Sequence, residues 1–178
     1  HAPNGEFGVL DGSTIYNQDI GTPDQFHYDF IVEGTLNLDN STIEDTTIKG
    51  IHKYHNTQNP ANDYMNITTS VVKFSNGTGI ICNGTEPQIR IEFSKIHSNV
   101  GNGINVINGS APKIKYNNDT FNGGIYNNTH GIYCDATSPE ITGNRISSNR
   151  RYGIRFNGAS SSVVSGNFIA HQGDGGDA

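Results

Sequence analysis

Three sets of residues in this chain have types and spacings that could do chemistry. Asp119, His130 and Asp135 put carboxylates near an imidazole in the sequence. That is the minimum for general acid–base work, which needs such groups at hydrogen-bond reach with tuned pKa values. His52 and His55 are spaced His-x-x-His, with Asp63 shortly after, and ligands of these types bind zinc or copper. Tyr54, Tyr64, Tyr126 and Tyr133 supply rings that can stack on sugars, while Arg90, Lys113, Lys115 and Arg155 supply cations that pair with acidic groups. Each set also has a plainer reading. The histidines sit in a stretch with no apolar period, as in a solvated loop. The cations suit an ordinary polar face on which Lys113 pairs with Glu140 across strands. No cofactor is expected.

What these side chains do depends on what holds them. The 178 residues are enough for one domain. Only 33% are hydrophobic and Trp is absent, too lean for packed helices but enough for narrow buried stripes. Ile and Val recur steadily, unlike the composition of a disordered chain. The net charge of −6 argues against nucleic acid as a partner, which calls for a basic face. No run approaches the roughly 18 apolar residues of a membrane span. No signal peptide is visible, so a secreted protein would be met here in mature form.

The second half of the chain repeats. Gly-Ile pairs begin at Gly79, Gly103, Gly131 and Gly153, and each opens a short alternating strand. A turn follows ("NGTEP", "NGSAP", "DATSP", "NGASS"), then a second alternating stretch, then a polar segment bearing Asn. Alternation means that one face of each strand is buried. A unit this small buries that face only by stacking on its neighbours. The expected fold is therefore an all-β parallel solenoid of about six or seven coils, spaced about 4.8 Å apart.

The expected inward columns are Ile80 and Cys82, Ile132 and Cys134, Ile154 and Phe156 after the Gly-Ile pairs. After the turns they are Ile89, Ile91, Ile114, Tyr116, Ile141 and Val163, and further on Ile96, Phe121, Ile146 and Phe168 or Ile169. Asn105, Tyr133 and Arg155 then point outward from the first strand, and Arg90, Lys113, Lys115 and Glu140 from the second. "GINVIN" holds one residue more than "GIYCD", which predicts a bulge near Val106 and Ile107. Cys82 and Cys134 fall in one column a whole coil apart, about 9–10 Å. A disulfide needs Cα atoms within about 7 Å, so two free buried thiols are expected. Earlier in the chain Phe30, Val32, Leu36 and Leu38 share a parity, continued by Ile43, Ile48 and Ile51. A single domain over 1–178 follows: a cap or irregular start at 1–29, early coils at 30–51, a long loop at 52–66, regular coils at 67–172 and a tail at 173–178.

The phrases "GIYCDATSPEITGNRISSN" and "GIRFNGASSSVVSGNFIA" resemble the right-handed parallel β-helix repeats of the pectate-lyase-like superfamily. The local likeness is to NosD-like copper-maturation proteins and archaeal disaggregatase-related surface proteins. It covers 67–172 well and 29–51 loosely. It implies a right-handed β-helix outside the cytoplasm, at the cell surface or in a Gram-negative periplasm, in contact with polysaccharide. The superfamily's enzymatic signatures are absent: no paired Asp with Gly-His-Gly and Arg-Ile-Lys, no Asp-Pro-His, no stacked acidic calcium cluster. The resemblance therefore carries no catalytic residue onto this chain.

Seven Asn-x-Ser/Thr sequons, at Asn40, Asn66, Asn76, Asn83, Asn108, Asn118 and Asn127, suggest N-glycosylation. At Asn76, Asn83 and Asn108 the following Gly also fits a turn demanded by backbone geometry. The expected function is a non-catalytic extracellular or cell-surface module that binds glycan or builds an assembly through the solenoid ends. The alternatives are a lyase or glycoside hydrolase acting on an acidic glycan, and a metal-handling periplasmic protein resting on His52 and His55.

Overall fold

Short alternating runs bounded by Asn, Gly and Ser set the strands. The computed structural model describes residues 6–7, 14–15, 28–32, 34–54, 63–85, 88–118, 124–158 and 161–173. These form a right-handed parallel β-helix with three sheets. Sheet A comprises β1 (Glu6–Phe7), β4 (Thr35–Asp39), β7 (Tyr64–Thr68), β10 (Gln88–Glu92), β13 (Lys113–Lys115), β16 (Glu140–Thr142) and β19 (Val163–Ser165). Sheet B comprises β2 (Thr14–Ile15), β5 (Thr42–Glu44), β8 (Val71–Lys73), β11 (Lys95–His97), β14 (Ile125–Tyr126), β17 (Arg145–Ser147) and β20 (Phe168–Ala170). Sheet C comprises β3 (Tyr28–Val32), β6 (Thr46–Lys53), β9 (Ile80–Asn83), β12 (Ile104–Ile107), β15 (Ile132–Asp135) and β18 (Ile154–Asn157). Five regular coils run from β4 to β18 among the described residues, against the six or seven expected. The short β1–β3 set precedes them, and β19 and β20 follow. Among the described residues no helix is long and apolar enough to cross a membrane.

The core is a set of apolar columns running along the axis. One is Ile51, Ile80, Ile104, Ile132 and Ile154. A second is Leu38, Ile67, Ile91, Ile114, Ile141 and Val164. A third is Ile43, Val72, Ile96, Ile125, Ile146 and Ile169. Except in the last coil these side chains are essentially inaccessible. Each contributes roughly 1.5–3 kcal/mol by burial.

Several expected positions move. Tyr116 is exposed, because it sits just past β13 at a corner with φ 54°. Val163 pairs with Glu140 on the outward side, and Val164 takes the inward place beside Ile141. Phe121 lies outside the described residues; Ile125 fills that column, and Ile169 rather than Phe168 continues it. Ile48 is 66% exposed on β6. No bulge forms at Val106 and Ile107, which stay in register with Cys82 and Asn83; the extra residue is absorbed by the Asn108–Gly109 turn, both residues having positive φ. The long loop is also narrower than 52–66. β6 runs through His52 and Lys53, and β7 begins at Tyr64.

Two corners carry the regularity that the Gly-Ile pairs only hinted at. Each strand of sheets A and B from β4 onward is followed by a residue in the left-handed region. Between sheets A and B these are Asn40, Thr69, Phe93, Tyr116, Gly143 and Gly166. After sheet B they are Asp45, Phe74, Ser98, Asn127, Ser148 and His171. The next residue in each case turns a polar side chain inward along the axis. Asn117 Nδ2 donates to Asn144 Oδ1 at 2.9 Å, and Asn144 Nδ2 to Asn167 Oδ1 at 2.9 Å. At the second corner Asn99 donates to Asn128, Asn128 to Asn149 and Asn149 to Gln172. Earlier coils use Ser41, Ser70 and Ser94 in the first ladder, and Thr46 and Ser75 in the second. The ladders satisfy backbone groups at the bends, which would otherwise be buried without partners.

The two cysteines occupy one column, each in register with Val106 from opposite sides. Both are free and buried. Burial pushes the Cys134 thiol up to about 12 and raises Cys82 as well, so neither offers a thiolate at neutral pH. Native protein is expected to leave both thiols unreacted with a chromogenic thiol reagent, and denatured protein to titrate two. A thiol that reacts rapidly in native protein contradicts the register.

Candidate functional site

The outward side of sheet C carries a continuous strip. Register sets Ile31, His52, Ile81, Asn105, Tyr133 and Arg155 in one outward column. The bend between sheets B and C runs beside it and adds Thr78, Asn102, His130 and Tyr152. In the later coils these side chains connect. The Arg155 guanidinium lies 5.8 Å from the ring centre of Tyr133 and 5.6 Å from that of Tyr152. Tyr152 stacks on His130 with centroids 5.6 Å apart and planes within 7°. His130 Nδ1 donates to Asn102 Oδ1 at 2.6 Å. Asn102 Nδ2 donates to Asn105 Oδ1 at 2.6 Å, and Asn105 Nδ2 to Thr78 Oγ1 at 3.3 Å. A row of amides and a hydroxyl therefore flanks an aromatic pair bridged by a cation. Tyr152 is 49% exposed. Arg155 is exposed too, and it has no carboxylate partner among the described residues.

This arrangement presents stacking rings, a cation and amides to solvent, and among the described residues no carboxylate is bonded to His130. Asp119 lies outside the described residues. His130 and Asp135 stand beyond opposite ends of the Ile132–Cys134 segment. Asp135 accepts a hydrogen bond from Asn157 Nδ2 at 2.9 Å, while His130 bonds Asn102. Among the described residues, His130 and Asp135 therefore do not pair with each other.

Of the candidate metal ligands, His52 and Asp63 are on opposite sides of the wall. His52 faces outward, stacks on Tyr54 with centroids 3.9 Å apart, and meets Asn83 Nδ2 through Nε2 at 3.3 Å. Burial and then the charge of Lys49 lower its pKa, keeping it neutral. Asp63 turns inward to an ion pair with Lys53, and His55 lies outside the described residues. Among the described residues no three His, Cys, Asp or Glu side chains group as metal ligands do.

The other cationic candidates, Arg90, Lys113 and Lys115, belong to sheet A. Asn37, Asn66, Arg90, Lys113 and Glu140 form one outward column. Glu140 makes its ion pair with Lys115, at 2.6 Å, rather than with its register neighbour Lys113. The hydrogen bond from Lys115 holds the Glu140 carboxyl below the ordinary carboxylate value. Tyr64 accepts from Asn37 Nδ2 at 3.3 Å through its hydroxyl. Tyr133 and Arg155 are on sheet C, so the structure divides what the sequence grouped as one acidic-glycan site. Tyr126 is committed elsewhere: it stacks on His97 in sheet B, centroids 4.6 Å apart and planes within 6°. Burial, then Lys73 and Lys95, lowers the His97 pKa to about 4.

Of the sequons, Asn40, Asn76, Asn108, Asn118 and Asn127 have exposed side chains. Asn66 and Asn83 are half-buried and hydrogen-bonded, to Asn37 and to His52 and Asn108 respectively. Strand parity does not reach Tyr152, Asn102 and Thr78, which lie in the bends. The signal for Tyr152 was present: "RRYGI" replaces the small or polar residues that precede the other Gly-Ile pairs.

Comparison of the chain with protein families, with curated proteins and with solved structures gives no match in any of the three.

Proposed function

We propose that this chain is a non-catalytic, extracellular or cell-surface β-helix module that binds glycan on the outward face of sheet C. The observation that carries the reading is the Tyr133, Tyr152 and Arg155 cluster beside the Thr78–Asn105–Asn102 row. Rings offer stacking surface, the guanidinium offers a planar fork for carboxylate or hydroxyl oxygens, and the amides read hydroxyl groups. Those groups hold one another before a ligand arrives, which lowers the cost of ordering them on binding. The sequons and the likeness of the repeat to the pectate-lyase-like superfamily support a setting among polysaccharides. A second element, assembly through the solenoid end, is favoured by one feature. In the last described coil the columns stay open, with Phe156 40%, Val164 46% and Ile169 46% exposed.

Screening the protein on a glycan array, with a parallel search for new reducing ends and unsaturated products, tests the reading. The expected outcome is retention of at least one class of glycan without cleavage, lost in Tyr152→Ala. Turnover of a bound polysaccharide gives the enzyme reading precedence.

A further inference from the structure

Independently of any glycan, the interior holds a charged pair where every neighbouring coil places an apolar or thiol side chain. Lys53 is the last residue of β6 and stands in register with Val32 on one side and Cys82 on the other. It therefore occupies the core column that continues through Val106, Cys134 and Phe156. Its side chain and that of Asp63 are both fully inaccessible, and the two form an ion pair. Lys53 Nζ also donates to the carbonyl of Tyr54 at 2.6 Å. The ion pairs Lys73–Glu44 and Lys115–Glu140 keep 20–34% of their side chains in solvent. Lys53 and Asp63 bracket residues 54–62, leaving β6 and rejoining sheet A just before β7.

We propose that Lys53 and Asp63 are joined by an isopeptide bond. Two ions held without water are costly to desolvate, and they are offset only by excellent geometry. An amide between the same atoms carries no charge. The step balances without an oxidant or cofactor. The ammonium passes a proton to the carboxylate, the neutral amine attacks Cγ, the Nζ–Cγ bond forms and a Cγ–O bond breaks. The carboxyl oxygen leaves with two hydrogens from nitrogen as one water. One hydrogen stays on Nζ, and the Tyr54 carbonyl is in place to accept it. Contact enforced by the fold supplies the effective concentration that an unassisted condensation lacks, and a site that excludes water favours release of water over hydrolysis. The product is a covalent clamp that fixes the point where the chain leaves sheet C to the point where it enters sheet A.

Mass spectrometry decides this on the full chain, produced in a host without N-glycosylation. The intact mass is expected to be one water below that of the sequence. Digestion of the denatured protein with trypsin should leave Lys53 uncut, giving one peptide over residues 50–73, short by one water, whose fragments place a link between Lys53 and Asp63. Asp63→Ala should have its full mass and release residues 50–53, a readout that does not require the variant to fold. A wild-type chain of full mass, cleaved after Lys53, overturns the proposal. So does a water lost at another position with Lys53 still cleaved.

Discussion

Asn144→Leu is expected to lower the unfolding free energy by about 4 kcal/mol, although the side chains are nearly equal in size. Asn144 is 1% exposed. Its Oδ1 accepts from the backbone N–H and the Nδ2 of Asn117, at 3.1 and 2.9 Å, and its Nδ2 donates to the Ile114 carbonyl at 2.8 Å. Leucine leaves those buried groups without partners, and each costs about 1–3 kcal/mol when orphaned. For a chain of this size the loss corresponds to a fall in melting temperature of roughly 8–16 °C. Asn167 holds the next ladder position but is only half-buried, so water can replace part of what is lost. Asn167→Leu should cost about half as much. Thermal and urea unfolding followed by circular dichroism compares the two; equal losses contradict a role for the ladder in sealing the interior.

Gly131→Ala should cost about 3 kcal/mol, as overpacking of a rigid site does. A Cβ at Gly131 would stand 2.5 Å from the carbonyl oxygen of Gly153, 2.7 Å from Ile146 Cγ2 and 3.0 Å from the ladder amide of Asn149. The first of these is backbone of the next coil and can yield only if the coils move apart. Gly158→Ala is the control. There the nearest atom to a new Cβ is 3.6 Å away, and φ is +81°, so only the left-handed conformation is penalised, by about 1–2 kcal/mol. The same unfolding curves separate the two variants. A milder effect at Gly131 than at Gly158 would mean that the Gly-Ile glycine is a turn residue rather than a close-approach residue.

These two variants also mark where the sequence is legible. The Gly-Ile pairs, the alternation after them and the shared column of Cys82 and Cys134 are periodic features, and they locate the sheet C strands and the free thiols. The two left-handed corners are harder to read. Gly143 and Gly166 announce theirs, but Phe93 and Tyr116 occupy the equivalent corner in earlier coils. Bulky residues are rarely found at positive φ. Those two rings lie stacked 5.6 Å apart, a contact across coils that no local pattern encodes. Alternation carried one residue past the end of β13 puts Tyr116 inward, and for Val163 the adjacent pair Val163–Val164 leaves the parity open, which register with Glu140 and Ile141 settles. The candidate site divides in the same way. Tyr133 and Arg155 follow from strand parity. Asn102 and Tyr152 sit in bends, where position depends on how successive coils superpose. Lys53 and Asp63 are ten residues apart in the sequence, and nothing local signals that both point into the core.

The glycan reading makes sheet C, not sheet A with its Arg90, Lys113 and Lys115, the binding face. Calorimetric titration of a glycan selected on the array into wild type, Arg155→Ala and Lys113→Ala tests that directly. Arg155→Ala is expected to weaken binding about tenfold or more, equivalent to about 1.4 kcal/mol, with Lys113→Ala indistinguishable from wild type. Undiminished binding by Arg155→Ala together with a loss in Lys113→Ala would contradict it and move the site to sheet A.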